Sequence, residues 1–210
     1  MHNQPLLPAI FPPLRGSKIA AKLGVMHRER SSTVQLFETE RLVARKLFHQ
    51  DVPVLTAMLS DPEVMKFSVR EVCDEEAIRK FVDWCLGCYA THGIGPWAFC
   101  EKDSGDFIGF CGVGPELVGD VEEVNLGYRM ARRFWHQGFA TEAVKGVLQY
   151  AFGQKLCESV VAIIEPEHTS SVRVTEKVGF GDYKLQEFHN RPVRVYRMTC
   201  EDWALHNKLL

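Results

Sequence analysis

The sequence predicts an α+β domain, a mixed α/β arrangement in which a mixed central sheet of about six to seven strands is flanked by about four helices. Three observations predict it. Apolar periodicities of the strand and the helix type alternate along the chain after Phe37. Residues 160–164 form a continuous apolar run, the pattern of a strand buried on both faces. Asp103-Ser104-Gly105 is a hairpin signal between two strand-like stretches.

Taken in order, residues 41–47 alternate as a strand, and residues 51–59 read as a short helix closed by the turn Ser60-Asp61-Pro62. Asp74 is a good N-cap, and Glu75 and Glu76 follow it where the helix dipole favours carboxylates. Ile78, Val82, Cys85, Leu86 and Tyr89 keep one face of that helix apolar until Gly93, Gly95 and Pro96 end it. Strands over 97–101 and 107–113 flank the hairpin signal, and a third covers 122–130. Residues 138–152 form a helix with Ala140, Ala143, Val144, Val147, Leu148 and Ala151 on one face. The apolar strand 160–164, a helix over 169–178 and strands near 182–187 and 193–199 complete the order.

A chain of 210 residues holds one domain plus a tail. With 46% apolar and 25% charged residues it is neither disordered throughout nor a membrane bundle, and no apolar run nears the roughly 20 residues of a membrane span. Residues 1–35 read as a flexible, basic tail containing Pro5, Pro8, Pro12 and Pro13, and residues 36–205 as the domain. The tail carries a local excess of positive charge, so the body is more acidic than the overall net charge of −2 and lacks the field that sequence-independent nucleic-acid binding needs. Seven irregularly spaced cysteines point to reduced thiols and a cytoplasmic location. Cys85 and Cys88 have Cys-x-x-Cys spacing but no second ligand pair, and fall inside a predicted helix, so no metal is expected.

The chemistry concentrates in residues 127–142, where a strand ends, a loop with Arg132 and Arg133 follows, and a helix opens at Gly138. Free backbone N–H groups and the positive end of a helix dipole make such a point an anion site. Gly138 and Ala140 allow phosphate oxygens close to the backbone, Thr141 adds a hydroxyl, and either arginine can add charge-assisted bonds. An ordinary strand-to-helix turn has the same pattern. A Walker loop is excluded because no Gly-Lys-Ser/Thr follows, and the Gly-x-Gly-x-x-Gly of a dinucleotide fold is absent.

Five motifs in order carry a resemblance over residues 36–200. They are Thr39-Glu40-Arg41-Leu42-Val43-Ala44-Arg45 with Ser60-Asp61-Pro62-Glu63-Val64-Met65; Pro96-Trp97-Ala98 with Phe107-Ile108-Gly109-Phe110-Cys111-Gly112; Leu126-Gly127-Tyr128; Trp135-His136-Gln137-Gly138-Phe139-Ala140-Thr141-Glu142-Ala143; and Ser171-Val172-Arg173-Val174-Thr175-Glu176-Lys177-Val178-Gly179-Phe180. The chain resembles the GNAT acyltransferases, and within them the ribosomal-protein-alanine N-acetyltransferase branch. The resemblance implies a GNAT fold whose sheet is splayed at an acyl-coenzyme A site, with acetyl-CoA as acyl donor and no metal. It implies that the diphosphate sits on Gln137, Gly138, Phe139, Ala140 and Thr141, helped by Arg133. The pantetheine arm would run along the backbone of Tyr128 and Met130, and His168 stands where the family places a coenzyme-binding Asn.

The reaction implied is acetyl transfer to a primary amine, with a protein N-terminus as the favoured acceptor. The alternatives are a small amine (polyamine, amino acid, aminoglycoside) or a catalytically degenerate acyl-CoA-binding sensor. Where the branch often has a carboxylate base the chain has Asn125, so Glu123, two residues earlier on the same strand face, is the candidate base through water, unless no protein base is needed. The family tyrosine that protonates the leaving thiolate is replaced by Thr175, which leaves Ser171 as candidate acid, a position that also suits a helix cap. Residues 65–74 and 188–192 would build the acceptor groove. The expected partners are acetyl-CoA and the amine acceptor, with neither nucleic acid nor membrane, and the expected state is monomer or homodimer.

Overall fold

The alternation of periodicities folds as read, with additions where period alone is silent. Residues 35–68 and 72–208 are described here from a computed structural model, so the expected tail over 1–35 lies outside the described residues except for Gln35. Strand β1 (Gln35–Glu38) precedes β2 (Leu42–Lys46), and a 3-10 turn at His49–Asp51 leads into α1 (Val52–Leu59). Ser60-Asp61-Pro62 both closes α1 and opens a short helix, α2 (Pro62–Met65): the Asp61 carboxylate accepts from the Glu63 N–H at 3.0 Å, and Pro62 occupies a first-turn position that needs no N–H. Helix α3 (Glu75–Thr91) starts as expected at Asp74, whose side chain accepts from the Ala77 N–H at 2.8 Å.

An antiparallel meander follows in β3 (Pro96–Glu101), β4 (Phe107–Val118) and β5 (Val121–Met130). Strand β4 runs past the expected end at Val113, because Gly119, at φ +64°, and Asp120 form a two-residue hairpin that pairs Val118 with Val121. Then come α4 (Phe139–Gly153), β6 (Ser159–Ile164), α5 (Thr169–Val178), β7 (Tyr183–Phe188), β8 (Arg191–Thr199) and α6 (Cys200–Lys208). The sequence reading ended at β8. Helix α6 grows directly out of it, on a capping box in which Asp202 accepts from the Thr199 N–H and the Thr199 hydroxyl accepts from the Asp202 N–H.

The described strands form one eight-stranded sheet in the order β1-β2-β3-β4-β5-β6-β8-β7, one strand above the expected range, and the two extra helices are α2 and α6. Every neighbouring pair is antiparallel except β5 and β6, which run parallel and share a single registered pair, Asn125 with Val161. The β4–β5 register sorts side chains by face. Glu116, Asn125 and Arg129 share the face of Phe110, which packs on Phe81 of α3. Tyr128 and Met130 share the other, toward α5. Trp97 is core, as its apolar strand implies, with the rings of Phe37 and Tyr150 against it.

Tyr89 ties α3 to the sheet. Its buried hydroxyl donates to the Pro96 carbonyl and accepts from the Leu47 N–H at 3.2 Å. Tyr89→Phe removes both bonds at buried sites and is expected to lower unfolding stability by about 1–3 kcal/mol, read from urea denaturation midpoints.

Candidate active site

Hydrogen-bond parity fixes which backbone groups of β5 face the split between β5 and β6. The Ala131 N–H donates to the Ile108 carbonyl at 2.8 Å, so Arg129 and Gly127, of the same parity, also bond to β4. The N–H and C=O groups of Tyr128 and Met130 therefore face the β6 side, beyond the one registered pair at Asn125. The two carbonyls take side-chain donors: Arg129 Nη1 reaches the Tyr128 oxygen at 3.0 Å and Trp135 Nε1 the Met130 oxygen at 2.8 Å. The two N–H groups are left directed into the gap.

A groove of about 480 Å³ runs from this gap to the start of α4. One wall is Met130, Trp135, His136, Gly138, Phe139, Ala140 and Thr141, and the other is the α5 face of His168, Ser171, Arg173, Val174 and Lys177. Gly138 is the N-cap at φ +83°, a left-handed conformation that a side chain rarely adopts, and it supplies no side-chain cap. The first intrahelical bond is from the Glu142 N–H to the Gly138 carbonyl, so the N–H groups of residues 139–141 have no acceptor within the helix.

That helix mouth is held from the other end of the chain. The Glu142 carboxylate accepts from the Thr39 hydroxyl at 2.6 Å, the Arg41 N–H at 2.7 Å and Arg41 Nε at 2.7 Å. Arg41 Nη1 also donates to the Gln137 carbonyl at 3.0 Å, and its guanidinium lies 4.2 Å from the centre of the Phe139 ring. Burial by itself would raise the Glu142 pKa, but the bonds from Thr39 and Arg41 outweigh it and hold the carboxyl below its usual range.

Neither loop arginine lines the groove. Arg133 pairs with Asp106 at 3.1 Å and lies on the Phe134 ring, while Arg132 pairs with Asp61 at 3.2 Å. Among the cationic side chains that do line the groove are Arg173 and Lys177, which the sequence reading did not single out although both stand on the exposed face of α5. Gln137 is also turned away, its amide donating to the Arg133 carbonyl at 2.9 Å.

A smaller cavity of about 100 Å³ adjoins the groove, lined by Glu116, Asn125, Glu165, Thr175, Phe188 and Arg191 among others. Both spaces share Phe67, Tyr128, Arg129, His168 and Ser171. The Tyr128 hydroxyl donates to Ser171 Oγ at 3.0 Å, and Ser171 Oγ lies 3.2 Å from His168 Nε2, whose ring stacks on Phe67 at 4.2 Å. Burial pushes the Tyr128 hydroxyl up to about 12, so it stays protonated. Burial, seconded by the charge of Arg129, pushes His168 down to about 4, so its ring is neutral near pH 7.

Glu123 shares a strand face with Asn125, as the period requires. Its carboxylate, however, is gripped by both terminal nitrogens of Arg197, and it is absent from the cavity lining. Two carboxylates line the cavity, Glu165, which pairs with Arg191, and Glu116, which lies directly across from Glu123 in the β4–β5 register. Glu116 is 2% exposed, its Oε2 has no hydrogen-bond partner, and burial pushes it up to about 7. The sequence reading missed it by ending the strand at Val113; an acid three residues past that end was the available signal. Asn125 lines the same cavity with its buried Oδ1 unpartnered. Residues 69–71 of the expected acceptor segment lie outside the described residues. Cys85 and Cys88 are buried in α3, with the Cys88 thiol raised to about 11 by burial, and no group of three or more His, Cys, Asp or Glu side chains among the described residues could hold a metal ion.

Comparison with known proteins gives a match of residues 41–181 to the acetyltransferase (GNAT) domain family. The Bacillus subtilis (strain 168) protein YkkB is 31% identical over 159 residues, covering 75% of this chain and 92% of that one. The Aspergillus fumigatus FsC-acetyl coenzyme A-N(2)-transacetylase is 30% identical over 194 residues, covering 81% and 78% respectively. The crystal structure of a GNAT-family acetyltransferase from Bacillus anthracis superposes with a TM-score of 0.66 at 24% identity over 78% of this chain and 98% of that one, a likeness of fold.

The Glu142 network has a pH signature. A carboxyl whose folded pKa is depressed contributes stability above its unfolded pKa and loses it as pH falls through the folded value. Glu142→Gln is expected to be less stable than the parent at pH 7 by about 1–3 kcal/mol, with the difference closing as pH drops below about 4 in urea titrations.

Proposed function

Because the chain belongs to the GNAT acetyltransferase family, we propose that it transfers the acetyl group of acetyl-CoA to a primary amine. The observation that carries this is the joining, in one groove, of an uncapped helix N-terminus to a strand edge with free N–H groups. The N–H groups of residues 139–141 suit the diphosphate, and Arg173 and Lys177 add positive charge on the facing wall. The edge at Tyr128 and Met130 suits an amide-containing arm, as an added strand would. Acetyl-CoA supplies the activated thioester.

The reacting centre falls where the groove and the smaller cavity meet. Glu116 accepts the proton of the attacking amine, and Asn125 Oδ1 accepts its remaining N–H. The Met130 N–H donates to the thioester oxygen as charge develops on it. Ser171, hydrogen-bonded to the Tyr128 hydroxyl, gives its proton to the departing thiolate and is resupplied from Tyr128. The protein N-terminus as acceptor, and membership of the ribosomal-protein-alanine branch, are supported by motif resemblance. The free cysteines among the described residues agree with a reducing, cytoplasmic setting.

The direct test is thiol release from acetyl-CoA by purified protein over an amine panel. Acceptor-dependent release above the amine-free blank is expected, and tight coenzyme binding without release would point to the sensor instead. Gly138→Asp places a carboxylate where the diphosphate would sit and is expected to raise the acetyl-CoA Kd by about tenfold or more in calorimetry. With Glu116 as base, kcat/KM should rise with pH through an ionisation near 7. Glu116→Gln should remove that ionisation and lower kcat/KM by about 10²- to 10³-fold in steady-state assays.

A further inference from the structure

Three residues lining the smaller cavity carry a buried polar atom with no hydrogen-bond partner: Glu116 Oε2, Asn125 Oδ1 and Arg129 Nε. The two oxygens are acceptors and suit the N–H groups of an amine. Arg129 is different in kind. A guanidinium offers only donors, and it repels an ammonium.

Among the described residues Arg129 has no counter-charge of its own. Its hydrogen bond is to the carbonyl of the preceding residue, and no carboxylate among the described residues lies within ion-pair distance of it. Of the charged residues that line the smaller cavity with it, Arg191 and Glu165 pair with each other at 2.7 Å, and His168 is neutral. Burial pushes Arg129 down to about 10, which still leaves it cationic at neutral pH. A cation whose Nε is shut off from water without a partner is costly, and this one stands in the wall common to the groove and the cavity. The phosphates of the coenzyme already have the α4 mouth and the α5 cations, so the anion that completes Arg129 has to arrive with the acceptor.

Resting on the acyltransferase reading, we propose that the acceptor is a primary amine carrying a carboxylate a few bonds from its nitrogen, with the nitrogen between Glu116 and Asn125 and the carboxylate on Arg129. A cavity of about 100 Å³ matches such a compact head group. A polyamine or aminoglycoside would instead bring further cations against Arg129 and Arg191. Two sources share the chemistry: a free amino acid, and a peptide whose first residue is Asp or Glu.

The test is kcat/KM over matched pairs: amino acids against their carboxamides, peptides starting with Asp or Glu against those starting with Asn or Gln, and spermidine as a carboxylate-free amine. At least one pair is expected to favour the acid by about tenfold or more, and the favoured pair identifies the source. Arg129→Met should bring that ratio toward one, chiefly through the KM of the acid, and Arg129→Lys should retain part of it. The wild-type ratios stand even where a variant fails to fold. Turnover of carboxamides or spermidine as fast as every acid overturns this inference and leaves the acyltransferase reading intact, whereas absence of turnover with all amines overturns both.

Discussion

The parallel contact between β5 and β6 holds at Asn125 and Val161 and goes no further. Had it continued, the N–H groups of Tyr128 and Met130 would be tied up in a ladder and the sheet would be closed. The divergence opens the gap through which the groove meets the smaller cavity. It also explains why Tyr128, Ser171 and His168 from one face come within reach of Glu116, Asn125 and Arg129 from the other.

Electrostatics then separates the carboxylates by task. Glu142 receives donors from Thr39 and Arg41, stays charged, and fastens the mouth of α4 to the first strands of the domain. Glu123 is neutralised by Arg197 at the rim. Glu116 is buried with one oxygen bare, so its proton affinity rises into the range where a base can work near neutral pH. The same kind of side chain is a clamp, a rim ion pair or a proton acceptor according to what the fold sets beside it.

Much of the architecture was legible in the chain. Asp74 with Glu75 and Glu76 marked the start of α3, and helix α5 spans the residues its apolar period implied. Gly138 marked the left-handed entry to α4, because few other residues tolerate that φ. Helix α6 was legible too, in the Thr199 to Asp202 capping box, but a helix rising directly from a strand has no turn residue to announce it. A basic loop beside a helix start suggests an anion contact for Arg133, and no local pattern shows that Asp106, nearly thirty positions earlier, pairs with it.

The sequence by itself determined the order of elements, the uncapped glycine start of α4 and the resemblance to a family, since local propensity, capping and spacing are properties of neighbouring residues. The tertiary structure alone decided which charges are paired and which are left bare. Glu116 and Glu123 lie seven positions apart and face each other across a hairpin, yet an arginine from β8 neutralises only one of them. Burial and ion pairing depend on residues far away in the chain, and no local pattern records them.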